Sequence, residues 1–123
     1  MPQRYWRERG CVVVVFEGSY RVDVALDSIA SALAEDPAPS AGLLLDLSES
    51  ESFRARSSDA LRLVADFLAL RRDRFASHLA TVGTSDLTYG LLRMGEVFAS
   101  EHGLVSQTFR TRDEALDWLV ASA

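Results

Sequence analysis

Apolar and polar residues follow two different patterns along the chain. One is a short continuous apolar run, as in residues 11–16, which is typical of a strand buried on both faces of a sheet. The preceding segment 3–8 connects to this run through a turn around Gly10, so the two segments predict a hairpin. Further strands are predicted at residues 42–47, 78–84 and 105–110.

The second pattern places apolar residues three or four positions apart, which predicts amphipathic helices between the strands. The first helix, at residues 21–35, ends before Pro37 and Pro39. Thr111 and Glu114 form a capping box at the start of the last helix. The predicted buried stripes are Val22, Leu26, Ile29 and Leu33; Leu61, Val64 and Leu68 in residues 58–75, widened by Ala65 and Phe67; Leu87, Leu91, Met94 and Phe98 after a cap at Ser85 or Asp86; and Leu116, Leu119 and Val120 with Trp118.

The resulting element order is β-β-α-β-α-β-α-β-α. Repeated strand–helix–strand units require parallel pairing with right-handed crossovers, and they place the helices against the sheet. The sequence therefore predicts an α/β layered fold with a mostly parallel sheet. A length of 123 residues is that of one ordinary domain, so residues 1–123 are predicted to form a single domain.

Composition indicates a globular, cytoplasmic protein. Apolar residues make up 48% of the chain and charged residues 25%, which is the usual globular balance. The apolar runs are far too short to span a bilayer, and the N-terminal residues lack the pattern of a signal peptide. The single cysteine, Cys11, cannot form an intramolecular disulfide, which agrees with a reducing compartment. Its position beside a buried strand favours a structural role over a reactive thiol.

The charge balance argues against nucleic acid as a partner. Eighteen acidic residues against thirteen basic ones give a net charge of −5, so phosphate backbones should repel the chain. All thirteen basic residues are arginine, which together with the abundant alanine indicates a GC-rich bacterial genome. The absence of lysine excludes a Schiff-base or Walker lysine from any mechanism.

No motif in the sequence supports catalysis or a cofactor. One cysteine and two histidines, His78 and His102, do not have the spacing of metal ligands. The nearest approach to the hydrolase motif G-x-S-x-G is GTSDL at residues 83–87, which lacks the second glycine, and glycine-rich phosphate loops do not occur. A non-enzymatic protein without a cofactor is therefore expected.

Two local features leave alternatives open. The arginines of residues 71–74 suit the negative end of a helix dipole, so a solvated helix terminus is favoured over an anion site. Gly90 and Gly95 each cost the third helix about 1 kcal/mol relative to alanine. These glycines indicate either close packing of the helix, which is favoured, or a gap that admits a ligand beside Tyr89, Arg93 and Glu96.

The segment from the third strand to the second helix carries a family resemblance. Asp46 and Ser48 form a D-x-S segment at a strand end, and the pair Ser57–Ser58 stands where the next helix begins. Together with the element order, these residues resemble the STAS family, the anti-sigma-factor antagonists with a SpoIIAA-like fold. The resemblance covers nearly the whole chain.

The chain departs from the family pattern beside the serine pair. Arg56 stands where the family has an aspartate, Asp59 stands where it has a glycine, and the loop that begins at Asp46 is longer. Residues 79–99 and 109–120 are more similar to a little-characterised bacterial branch of SpoIIAA-like proteins. That branch has a tyrosine-glycine pair in its third helix and a closing Ala-x-x-Trp-Leu.

The resemblance implies a small sheet with helices on one side and a regulatory, protein-binding role. In switch-type members a partner anti-sigma kinase phosphorylates a serine of the pair, and the modification releases the complex. Ser57 and Ser58 are therefore phosphorylation candidates, and an anti-sigma factor or kinase is the implied partner. The implied partner-binding residues are Asp46, Ser48, Arg54 and Arg56.

Two other interpretations stay open from the sequence. Serine is among the best helix caps, so capping alone is the favoured interpretation of Ser57–Ser58. The sheet and the third helix alternatively border a cleft, which would make the chain a small-molecule or lipid-binding module. A homodimer is compatible with either function. The candidate cleft residues are Tyr89, Gly90, Arg93 and Met94, with Phe98 beside them.

Overall fold

The computed structural model describes residues 3–35, 40–51, 53 and 57–122, in which five strands and four helices follow the predicted order. A short 3-10 turn at Arg72–Arg74 follows the second helix. The strands are β1 (Gln3–Glu8), β2 (Cys11–Gly18), β3 (Leu43–Ser50), β4 (His78–Val82) and β5 (Val105–Phe109). The helices are α1 (Val22–Glu35), α2 (Ser58–Ala69), α3 (Asp86–Glu101) and α4 (Arg112–Ser122).

The five strands form one sheet whose spatial order is the order of the sequence, β1-β2-β3-β4-β5. β1 pairs antiparallel with β2, and the other neighbouring strands pair in parallel. Because a helix joins each parallel pair of consecutive strands, right-handed crossovers bring α1, α2 and α3 to the same face. The predicted α/β fold with a mostly parallel sheet is confirmed.

Side chains of β2 alternate between two hydrophobic cores. Val12 and Val14 pack in the core beneath α1, α2 and α3, whereas Val13 and Val15 pack in the core beneath α4. The four valines are at most 5% exposed, which explains why this strand has no polar interruption. Helices therefore cover both faces of the sheet, three against one, whereas the family resemblance implied helices on one side.

The second helix ends earlier than predicted, at Ala69 instead of residue 75. Phe75 is completely buried, and the following residues Ala76 and Ser77 have φ angles of 54° and 60°. These angles lie outside the right-handed helical region. The chain turns here because Phe75 enters the core just before β4 begins at His78.

Two predicted buried stripes are wrong in part. Leu87 and Met94 of α3 are 57% and 44% exposed, while Leu92 and Ala99 are buried. Apolar residues occur on two sides of α3, so their periodicity alone does not identify the side that meets the sheet. Val120 of α4 is likewise 38% exposed.

The arginines of residues 71–74 bind carbonyl oxygens at the ends of three helices. Arg72 donates from Nε to the Ala69 carbonyl of α2 and from Nη1 to the His102 carbonyl after α3. Arg74 donates from Nε and Nη2 to the Leu33 carbonyl of α1. Carbonyls at helix carboxyl ends lack intrahelical partners and carry partial negative charge. The cluster acts as a shared cap, in agreement with the helix-terminus interpretation.

Arg74→Met removes the donors to the Leu33 carbonyl and keeps most of the apolar stem. Because a hydrogen bond to a charged group contributes roughly 1.5–3 kcal/mol, we expect the free energy of unfolding in urea to fall by about 2 kcal/mol. Arg21→Met is the control, since the Arg21 side chain is 83% exposed and pairs with Asp23 at the surface. That variant should stay within about 0.5 kcal/mol of the unmodified protein. Equal losses in both variants would contradict a shared cap.

Cys11 is 0% exposed at the start of β2, and burial raises the pKa of its thiol. Less thiolate is therefore present at neutral pH than for an exposed cysteine. We expect Ellman's reagent to leave the folded protein unmodified and to react completely once urea unfolds it. Rapid labelling of the folded protein would argue for a reactive thiol instead.

Candidate functional site

The carboxyl ends of β3, β4 and β5 meet at one edge of the sheet, which is where open α/β sheets place their ligand sites. An open polar pocket of about 400 Å³ lies beside this edge. The strand ends and the start of α4 form most of its wall. The lining residues are Glu8, Asp46, Ser48, Val82, Thr84, Arg110, Thr111, Arg112 and Asp113.

Asp46 is a buried carboxylate in this wall, with 3% exposure. Its Oδ1 accepts hydrogen bonds from the Ser48 backbone N–H at 3.0 Å and from the Ser48 hydroxyl at 2.6 Å. Its Oδ2 accepts from Nε of Arg112 at 3.0 Å. Both oxygens are therefore engaged, as the burial of a carboxylate requires. The D-x-S segment thus lies inside β3, where the pairing with β2 shifts register, and not at the end of the strand as predicted. Its aspartate is bonded to Ser48 and to the first residue of α4.

Arg112 connects three elements of the fold. It pairs with Asp46 in β3, and its guanidinium carbon lies 5.3 Å from the ring centroid of Trp6 in β1. Sequence reasoning did not single out Arg112. Its charge could have indicated a nearby carboxylate, because a cation is disfavoured in the first turn of a helix unless an anion offsets the helix dipole.

The structure places Asp46 against Arg112 instead of towards solvent, so any contribution of Asp46 to partner contact would be indirect. Ser48 is half-buried beside it. Arg54 and Arg56, the other two residues predicted to bind a partner, lie outside the described residues.

The serine pair lies at the start of α2. Ser57 is the N-cap, and its hydroxyl accepts a hydrogen bond from the Ala60 backbone N–H at 3.2 Å. Ser58 is the first helical residue, and both serines are exposed. Ser57 is thus a helix cap, and its hydroxyl is also accessible from solvent.

A second, apolar cavity of about 90 Å³ lies between the sheet and the helices α1, α2 and α3. On α3 its wall is formed by Leu92, Gly95, Glu96 and Ala99. Phe53, which is 9% exposed, closes it from the segment between β3 and α2. The sheet and the third helix do border a cavity, as the ligand-binding alternative supposed.

The residues predicted for a ligand cleft are not among those that line this cavity. Gly90 and Met94 are exposed on the outer side of α3. A hydrogen bond with Tyr89, followed by the charge of Glu96, raises the pKa of Arg93. Tyr89 also stacks under Arg110, whose guanidinium carbon is 4.0 Å from the ring centroid. Tyr89 and Arg93 thus belong to a polar surface next to the cavity, whereas Phe98 is buried in the core.

The favoured explanation of the two helical glycines, close packing, is wrong. A Cβ atom at Gly90 or Gly95 would have no heavy atom within 4 Å beyond the helix's own nearby backbone. Tight approaches occur instead at Gly42, where a Cβ would lie 2.6 Å from the Leu119 side chain, and at Gly83, where it would lie 2.8 Å from the Thr88 side chain. Gly95 lies in the cavity wall, so the gap alternative describes its surroundings better.

The fold is SpoIIAA-like. An uncharacterised protein from Shewanella loihica PV-4, of the DUF3478 family with a SpoIIAA-like fold, matches with a TM-score of 0.60 and 21% identity over 95% of this chain and 91% of that one. An anti-sigma factor antagonist from Mycobacterium paratuberculosis matches with a TM-score of 0.67 and 18% identity over 95% of this chain and 92% of that one. Comparison with protein-family models and with curated proteins gives no match. The fold implied by the family resemblance is confirmed.

Within the described residues, no helix has the length and apolar character to cross a bilayer. In the same residues, no group of three or more histidine, cysteine, aspartate or glutamate side chains is arranged to hold a metal ion.

Arg112→Met keeps an apolar stem near Trp6 but leaves the Asp46 carboxylate without its cation. We expect the free energy of unfolding to fall by about 2 kcal/mol, because the remaining charge stays buried without its charged donor. Arg4→Met is the matched control, since Arg4 pairs with Glu17 at the surface and the two side chains are 56% and 42% exposed. Its cost should be below about 1 kcal/mol.

Urea denaturation of both variants, with a double-mutant cycle that adds Asp46→Asn, measures this difference. A coupling energy near zero between Asp46 and Arg112 would show that the pair does not hold α4 against the sheet.

Proposed function

We propose that this chain is a non-catalytic regulatory module that binds a protein partner and is switched by phosphorylation of Ser57 at the start of α2. The observation that carries the proposal is the exposed N-cap hydroxyl of Ser57. An anti-sigma factor or its kinase is the proposed class of partner, by analogy with the antagonist from Mycobacterium paratuberculosis that shares the fold.

The N-terminus of α2 suits a phosphate on Ser57. The first turn of a helix has unpaired backbone N–H groups and partial positive charge, and a phosphoserine carries about −1.5 to −2 charges at neutral pH. The Ala60 N–H already points at the Ser57 oxygen. Asp59 in the first turn opposes the added charge. A phosphate would therefore be tolerated by the helix while it changes the surface that a partner meets.

The exposed sides of α2 and α3 support a protein partner. These helices pack against each other, and they expose large apolar side chains: Leu63 at 48%, Met94 at 44% and Val97 at 59%. Exposed apolar residues beside polar ones are typical of surfaces that contact other proteins. We propose that the partner contacts this side of the domain next to Ser57.

The test separates capping from phosphorylation by substitution at Ser57. Asparagine caps helices about as well as serine but cannot be phosphorylated, so Ser57→Asn removes only the modification. Ser58→Ala removes the neighbouring hydroxyl and leaves the cap. Each protein is incubated with ATP and lysate of its native cells, and phosphorylation sites are mapped by mass spectrometry. We expect phosphate on Ser57 in the unmodified protein and in Ser58→Ala, and none on residue 57 of Ser57→Asn.

Partner release is tested in the same lysates. Ser57→Asn should retain a protein partner in the presence of ATP, whereas Ser57→Asp, which keeps the cap and adds a negative charge, should retain less of it. Protein from native cells that carries no phosphate on Ser57 or Ser58 under several growth conditions would leave Ser57 as a cap only and reject the switch.

A further inference from the structure

We propose that the apolar cavity between the sheet and α1, α2 and α3 is a binding site for a small apolar molecule that carries one hydrogen-bond donor, an alcohol or an amine. This inference does not rest on phosphorylation of Ser57. It follows from the size of the cavity, the direction of the hydrogen bonds in its wall and the empty space beside Gly95.

The cavity wall is almost entirely apolar. Phe16 and Leu45 of the sheet, Ile29 of α1 and Leu61 and Leu68 of α2 form most of it. Apolar cavities hold water poorly and bind apolar guests, and an engineered cavity of about 150 Å³ accepts benzene. With a volume of about 90 Å³, this cavity suits a molecule smaller than that, such as a short alkyl chain.

Four residues of the wall have polar side-chain groups, Tyr20, Thr81, Glu96 and Ser106. Thr81 and Glu96 belong to one chain of hydrogen bonds whose direction bears on the guest. Thr81 donates its hydroxyl proton to Oγ1 of Thr108 at 3.2 Å, and Thr108 donates its own to Oε2 of Glu96. A hydroxyl has one proton to give and an ionised carboxylate has none. Thr81 and Glu96 can therefore only accept a further hydrogen bond, and both line the cavity.

At Thr81 and Glu96 the guest must accordingly donate a hydrogen bond, whereas the Ser106 hydroxyl accommodates either a donor or an acceptor. An alcohol or a protonated amine can donate a hydrogen bond to Thr81 or Glu96. An ionised carboxylic acid would instead bring a second negative charge next to Glu96. Arg93 offsets Glu96 only in part, since its Nε is 3.5 Å from Oε2 and its side chain is 59% exposed. The cavity therefore discriminates against the fatty-acid type of ligand.

Gly95 leaves room at the wall of the cavity. Beyond the helix's own nearby backbone, no heavy atom lies within 4 Å of the position that a Cβ would take there. Gly90 has the same free space but does not line the cavity. The two glycines thus form a matched pair on one helix, one at the site and one away from it.

The test uses butan-1-ol, butan-1-amine and butanoate as probes of equal chain length. Each is titrated into isotope-labelled protein, and amide chemical shifts are followed by NMR. We expect saturable binding of the alcohol and the amine with Kd on the order of 1 mM, since probes this small have little binding energy. Shifts should be centred on Leu92, Gly95 and Ala99, and butanoate should bind at least about tenfold more weakly.

Three variants complete the test. Gly95→Leu fills the cavity and should abolish binding, whereas Gly90→Leu should bind as the unmodified protein does. Both replace a helical glycine with a stronger helix former, so thermal unfolding should show that both are folded and at least as stable. Glu96→Gln replaces the negative charge with an amide that can donate a hydrogen bond. It should lower the ratio of the butanoate Kd to the butan-1-ol Kd.

Several results would overturn the proposal. They are the absence of saturable binding by the unmodified protein, butanoate binding as tight as that of the alcohol, and unchanged binding by Gly95→Leu.

Discussion

The fold depends on how one buried charge is satisfied. Asp46 lies within β3 with only 3% exposure, and a carboxylate in such a place is costly unless hydrogen-bond donors surround it. Ser48 supplies two donors from the same strand, and Arg112 supplies a third from α4. Satisfying Asp46 therefore fixes the path of β3 from Asp46 to Ser48 and the position at which α4 begins.

The polarity of the helices follows from the parallel strands. Each helix begins near the sheet edge at which the preceding strand ends. The amino ends of α2, at Ser57, and of α4, at Arg112, therefore lie at the same edge. The carboxyl ends of α1, α2 and α3 lie at the opposite edge, where Arg72 and Arg74 cap them. One edge thus presents partial positive charge from helix starts, and the other has its partial negative charge already bound by arginine. An anionic modification suits the first edge for this reason.

Much of this architecture was predictable from sequence because its causes are local. The unbroken apolar run of β2 indicated burial on two faces, and Thr111 with Glu114 indicated the start of α4 correctly. The predictions that went wrong concern choices made in three dimensions. The end of α2 depends on Phe75 entering the core, and the buried side of α3 depends on which of two apolar sides meets the sheet.

The candidate sites were less predictable than the fold. Ser57 was recognisable as a cap, since capping needs only its own turn of helix. The pairing of Asp46 with Arg112 joins residues far apart in sequence, and the hydrogen bonds among Thr81, Thr108 and Glu96 join two strands and a helix. Gly95 was notable in the sequence because glycine destabilises a helix. Only the structure shows the empty space beside it.

The placement of α4 also determines the order in which the domain can be completed. Strand order follows chain order, so the sheet can assemble during synthesis as each strand joins its predecessor. α4 follows all five strands, and until its residues emerge the second face of the sheet is uncovered and Asp46 lacks Arg112. Exposed apolar surface of this kind makes folding intermediates prone to aggregation. The nascent chain is therefore prone to aggregation until Arg112–Ser122 packs against the sheet.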